Sequence, residues 1–127
     1  MKKYGIILAG LIFFSCCKKE DFRDNYIGNW DFVVDASKLN IDSVGQYERD
    51  TIYYTGRIEK GCADDELNIQ YTKDNSIILK IDESGTLSGF PSQYSSGKFE
   101  GESNIHLYLR WGGLGGNITH IIDGSKM

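Results

Sequence analysis

Two histidines, an acidic triplet, a glycine-rich stretch and a downstream cysteine are the residues of this 127-residue chain whose types and spacing could do chemistry. The stretch Trp111, Gly112, Gly113, Leu114, Gly115, Gly116, Asn117 resembles a phosphate cradle only in composition. Such a cradle needs Gly-Lys-Ser/Thr, and a dinucleotide loop needs a third glycine leading into a helix. Ile118 stands where that third glycine would follow Gly113 and Gly115. The stretch therefore reads as a hairpin connection, with a ligand-gating loop as the functional alternative. His106 and His120, joined by an acid such as Asp31 or Asp123, could hold a metal ion, which takes three or four ligands. Alternation puts His106 beside Tyr108 and Arg110 on the solvent side, so a surface pair without metal is expected. Asp64, Asp65 and Glu66 offer calcium-type oxygens, but lack the alternating ligands and central glycine of a calcium loop, and read as a solvated turn. No Gly-x-Ser-x-Gly elbow is present, and no carboxylate pair is fixed at a glycosidase separation. Cys62 has no His or Asp partner pattern and is expected as a partly buried thiol in a turn. The site chemistry points to no enzyme, no cofactor and no metal.

The elements that would carry these residues are short runs of alternating character. Tyr26, Gly28, Trp30, Phe32 and Val34 share one parity, against Asn29, Asp31 and Asp35. Asp50 to Glu59 places Ile52, Tyr54, Gly56 and Ile58 on one side, with Tyr53, Thr55 and Arg57 on the other. Further strands are expected over 67–71, 77–81, 85–90, 97–101, 104–111 and 117–123. Asp and Asn tolerate left-handed angles, so Lys73, Asp74, Asn75 and Ser76 suit a tight hairpin; Asp82 to Gly85 suits a type I turn closed by glycine. The best helical candidate, Asp35 to Gln46, has too few apolar positions for a stripe. The expectation is an all-β antiparallel meander of about eight strands closing into a barrel, with a two-layer β-sandwich as the alternative. Trp30, Phe32, Tyr54, Tyr71, Phe99 and Trp111 fall on the inward parity and serve as core. Tyr53 and Tyr108 fall on the outer parity, where aromatics mark partner contacts.

The chain begins with Met1, Lys2 and Lys3, an apolar run from Tyr4 to Phe14, then Ser15, Cys16 and Cys17. A basic start and a dozen apolar residues before a small residue is the layout of a secretory signal, and is short of the roughly 20 residues of a membrane-spanning helix. The ending Phe13, Phe14, Ser15, Cys16 resembles the lipobox of bacterial lipoproteins, with bulky Phe14 a departure from the pattern. That resemblance implies cleavage before Cys16, with Cys17 as the alternative, and lipid on the new terminal cysteine. Lys18, Lys19, Glu20 and Asp21 resemble the surface-export signal of Bacteroidetes lipoproteins, which implies an outer-membrane, cell-surface location. The organisation expected is a signal over 1–15, a lipidated charged tether over 16–25 and one all-β domain over 26–127.

The formal charge of −4 becomes about −6 once Lys2 and Lys3 are removed, so general attraction to nucleic-acid phosphates is excluded. With Cys16 acylated, only Cys17 and Cys62 remain for a disulfide, which the exported compartment permits. Gly28, Asn29 and Trp30, preceded by Tyr26 and followed by Phe32, resemble the Gly-x-Trp opening of lipocalin-like barrels. The resemblance spans about ten residues and implies an indole packed across a barrel floor and a small apolar ligand. The function expected is therefore a membrane-anchored, non-enzymatic module that binds a protein partner, with a lipocalin-like carrier of a small apolar ligand as the alternative and a hydrolase as the weakest reading.

Overall fold

The structure, a computed structural model, describes residues 21–40, 46–113 and 116–127. The signal segment, Cys16, Cys17 and the first residues of the tether lie outside the described residues, as do Leu114 and Gly115. Eight strands follow a single 3-10 turn, Phe22–Asn25. They are β1 (Gly28–Asn40), β2 (Gln46–Lys60), β3 (Glu66–Gln70), β4 (Ser76–Ile81), β5 (Leu87–Ser88), β6 (Ser96–Glu100), β7 (Asn104–Gly113) and β8 (Gly116–Lys126). All pairings are antiparallel in one sheet of order β5-β4-β3-β2-β1-β8-β7-β6. Each strand except at the β5–β6 step pairs with its neighbours in sequence, and β1 also pairs with β8, which rolls the sheet into a nearly closed barrel. The seam lies between β5 and β6, which share no ladder. One continuous sheet replaces the sandwich alternative.

Period-two patterning decides what goes inside. Trp30, Phe32 and Val34 of β1, Ile58 of β2, Leu67 and Ile69 of β3, Leu79 and Ile81 of β4, Ile105, Leu107 and Leu109 of β7 and Ile122 of β8 are all buried. Their alternate neighbours face outward. Two glycines make room for the largest residues. A Cβ on Gly124, directly across the ladder from Phe32, would lie 2.8 Å from the Phe32 ring and 2.7 Å from Ile105 Cγ2. A Cβ on Gly56, across from Trp30, would lie 1.9 Å from the Gln70 carbonyl oxygen. The barrel can thus hold two stacked aromatic rings, Trp30 and Phe32, with centroids 6.4 Å apart.

One end of the barrel is sealed as a floor. The 3-10 turn packs beneath Trp30, whose indole N–H donates to the Tyr26 carbonyl at 2.8 Å. The Tyr26 and Phe99 rings meet with centroids 4.2 Å apart. Arg23 is buried, and its Nη1 donates to the carbonyls of Ala63 at 2.8 Å and Glu66 at 3.0 Å, which ties the turn to the β2–β3 connection. The remaining guanidinium N–H groups bond the Asp21 carboxylate, which that contact holds well below the usual carboxylate range. Lys60 reaches Asp24 at 2.6 Å and Asp21 at 3.2 Å. The charged segment assigned from sequence to a tether over 16–25 therefore folds onto the barrel from Asp21 on.

Asp35 to Asn40 and Gln46 onward continue β1 and β2, beyond the strand ends read from sequence. One further expectation is corrected. The β3–β4 turn uses no left-handed Asp or Asn, since no described non-glycine residue has positive φ. The Thr72 hydroxyl instead accepts from the Asn75 backbone N–H at 3.0 Å, and the Asn75 carbonyl accepts from the Tyr71 and Thr72 N–H groups. The Asp82–Gly85 turn forms as expected, with Gly85 N–H on the Asp82 carbonyl at 3.0 Å and Gly85 at φ 85°.

Candidate functional site: the open end of the barrel

Strand lengths create the site. β1, β2, β7 and β8 run 13, 15, 10 and 11 residues, whereas β3 to β6 run six or fewer. Away from the floor the four long strands therefore outrun the others, and their inner face is uncovered. The ladder fixes which residues share it: Ala36 lies opposite Asp50 and His120, Lys38 opposite Glu48 and Ile118, and Trp111 opposite Ile118. Two adjoining open grooves, of about 310 and 260 Å³, share Lys38 and Ile118 as their common wall. The first is completed by Trp111, Leu39 and the glycine-rich hairpin, the second by His120, Ala36, Glu48 and Asp50.

Where the groove meets the core, Tyr71 and His120 are joined at 2.8 Å between the phenol oxygen and Nδ1. Tyr71 is buried, and its phenol has no other hydrogen-bond partner among the described residues. Its O–H therefore donates and Nδ1 accepts, which assigns the neutral imidazole its proton on Nε2. Burial favours the neutral form of both groups: it pushes the Tyr71 phenol up to about 12 and lowers His120 below its ordinary value. The edges of Tyr71 and Trp111 meet His120, with centroids 5.6 and 5.1 Å away. His120 is thus held neutral between two aromatic rings, while Glu48 and Asp50 stand exposed on the same face. The groove offers an apolar aromatic wall, the His120 N–H and the Lys38 ammonium as donors, and carboxylates at its rim.

The residues singled out from sequence are distributed differently from the expected surface histidine pair. β7 and β8 are neighbours, as expected, but the two histidines occupy opposite faces. His106 lies outside and bonds Asp123 at 2.6 Å, whereas His120 lies inside on the register of Leu109. Asp31 sits on the outer face and accepts from the Thr55 hydroxyl at 2.9 Å. No cluster of three metal-ligating side chains occurs among the described residues. Cys62 is exposed rather than partly buried, in the β2–β3 turn with Asp64 and Asp65; Cys17, its candidate partner, is outside the described residues. Trp30, Phe32 and Tyr71 are core, while Tyr54, Phe99 and Trp111 are half-buried. Tyr53 is 78% exposed on the outer face next to Val33, and Tyr108 is half-buried there.

The sequence reading missed Lys38, Glu48 and Asp50 as inner-face residues and His120 as a groove residue. Parity was the available signal for His120, because it shares a face with Ile118 and Ile122, but the adjacent Ile121 offers the opposite face equally well. Comparison with protein-family models, with curated protein sequences and with solved structures found no match.

Proposed function

We propose that this chain is a lipid-anchored, non-enzymatic binding module of the outer membrane whose contact surface is the open end of the barrel. The observation that supports it most is the uncovered inner face of the four long strands, where Trp111, His120 and Ile118 meet Glu48 and Asp50. Below this face the barrel is filled by side chains: Trp30, Leu107, Leu109 and Ile122 are fully buried. A carrier that encloses an apolar ligand needs a cavity there, so a partner or ligand that sits in the open grooves fits the geometry better. Lys38 stands opposite Glu48 and Arg49 is paired with Asp35, so Asp50 beside the aromatic wall is the place for an aromatic or aliphatic group bearing a cation.

Titration with tryptamine, and with indole-3-acetate as its anionic counterpart, tests this reading. The shifts of the Trp111 indole, the His120 ring and the Ile118 methyls are followed by NMR. Tryptamine is expected to move all three with an affinity near 1 mM, worth about 4 kcal/mol, and indole-3-acetate to bind more weakly. The absence of shifts with either probe would refute the groove as a binding surface. Anchoring is tested separately by intact mass and membrane partition beside Cys16→Ala. An unacylated wild-type chain would remove the membrane part and leave the groove untouched.

A further inference from the structure

The groove is bordered on one side by a strand edge that the barrel leaves open. β2 spans Gln46–Lys60, but β3 pairs only with its last four residues, Arg57 to Lys60. No strand among the described residues pairs with the earlier part of β2 on that side. The hydrogen-bond alternation identifies which groups are exposed. The Gly61 N–H bonds the Glu66 carbonyl at 2.9 Å, which extends the β2–β3 register and makes odd-numbered β2 residues the ones that aim both backbone groups toward β3. The opposite side agrees. Met127 N–H bonds the Asn29 carbonyl at 3.0 Å, so odd-numbered β1 residues serve β8 and even-numbered ones serve β2. The N–H and C=O groups of Thr51, Tyr53 and Thr55 therefore point out of the sheet along the free edge, and all three residues are exposed.

Native sheets blunt such edges with proline, lysine, a bulge or inward-pointing charges; Glu48 and Asp50 supply such charges at one end of this edge, but residues 51–55, Thr-Ile-Tyr-Tyr-Thr, contain none of these. They are instead rich in the β-branched and aromatic residues that favour strand pairing. On the outer face the edge presents Tyr53 beside Val33, both exposed. On the inner face it presents Asp50, whose ladder partner is Ala36, and Glu48, whose ladder partner is Lys38.

We propose that the β2 edge accepts an extended segment of a partner protein as an added antiparallel strand, with basic side chains on its inner face and β-branched or aromatic ones on its outer face. This rests on the binding-module reading and supplies its partner class. Backbone ladder bonds to Thr51, Tyr53 and Thr55 hold the segment, and alternate side chains read the two faces. Inner-face Lys or Arg residues lie beside Asp50 and Glu48, at the rim of the groove. Outer-face residues pack on Tyr53. A second copy of this chain is the poorer occupant, because it brings its own Asp50 and Glu48 to the same edge and carries the same net charge of −4.

The probe is an eight-residue, end-capped peptide of alternating Lys and Val, labelled with fluorescein and added to the full chain. Its controls are the Glu/Val peptide and the Lys/Val peptide N-methylated at alternate amides. Three results are expected. The Lys/Val peptide binds and slows hydrogen exchange at the Thr51, Tyr53 and Thr55 amides. The controls bind at least about tenfold more weakly. Tyr53→Pro, which deletes an edge donor without touching the β1 ladder, weakens binding about tenfold or more, while Asp50→Asn removes most of its salt dependence. Proline variants that fail to fold leave the N-methylated peptide as the equivalent test from the partner's side. Protection confined to Trp111 and His120 would overturn the edge but keep the groove, and no binding would overturn the edge outright. Amides protected without peptide, together with a dimer by sedimentation, would assign the edge to a second copy and also overturn the proposal.

Discussion

Replacing Gly124 with alanine sets two opposing effects against each other, and the structure decides the sign. In an unobstructed strand the change stabilises by about 0.4–1 kcal/mol, because alanine reduces the freedom of the unfolded chain. At Gly124 the new Cβ lies 2.7 Å from Ile105 Cγ2 and 2.8 and 2.9 Å from two atoms of the Phe32 ring, inside any normal carbon–carbon contact. Overpacking of this kind costs about 1–3 kcal/mol, so a net loss of about 1–2 kcal/mol is expected. The obstruction consists of side chains, so it can be relieved. In the double variant Gly124→Ala with Phe32→Leu, the two losses should be less than additive by about 1 kcal/mol, the coupling expected of residues in contact. Gly56 supplies the contrast: its Cβ meets Phe32 at 3.0 Å but the Gln70 carbonyl oxygen at 1.9 Å, and backbone cannot be trimmed. Gly56→Ala should be destabilising and gain little from Phe32→Leu. The assay is urea denaturation of the three single and two double variants, followed by tryptophan fluorescence, with m-values checked for constancy. A neutral or stabilising Gly124→Ala, or equal rescue of both glycine variants, would show that Phe32 is not seated as described.

Other perturbations follow from the floor and the groove. Arg23→Ala leaves the Ala63 and Glu66 carbonyls without their charged donor and should cost about 2 kcal/mol, read as a lower urea midpoint; an unchanged midpoint would mean the 3-10 turn is not part of the folded unit. His120 gives a pH dependence of fixed sign. Its folded pKa lies below the unfolded value, so the unfolded chain takes up the proton first as pH falls. The contribution is complete above about pH 6.5 and is lost as pH falls through the lowered folded value. Wild type should therefore lose stability relative to His120→Gln on acidification from pH 7 to pH 5, and parallel profiles would contradict the buried neutral imidazole.

Much of the fold is written in the alternation of particular residues. Ile105, Leu107 and Leu109 announce β7, and Trp30, Phe32 and Val34 announce β1, because a filled core demands apolar residues at every second position. The signal stops where the core stops. Ala36 is the last β1 residue packed on the core; Lys38, Glu48 and Asp50 continue the inner face past it, so the apolar pattern breaks and the strands look shorter than they are. The candidate site was therefore least legible where it lies, for one physical reason: an inner face that no core covers carries no core pattern. The opposite faces of His106 and His120 were hidden by the adjacent Ile121 and Ile122, which give β8 two apolar parities.

The position of the 3-10 turn sets how the molecule would stand on a membrane. Phe22–Asn25 lies under the floor, and Asp21 is five residues from Cys16, a span of at most about 18 Å of extended chain. If Cys16 carries the lipid, as proposed, the floor is moored within that distance of the headgroups. β1 then rises away from the floor over 13 residues, about 43 Å at the usual strand rise. The barrel behaves as a short post planted at its closed end, with Trp111, Lys38 and Ile118 toward its summit and the Thr51–Thr55 edge of β2 partway up its side. A partner could reach them from the aqueous side without approaching the lipid.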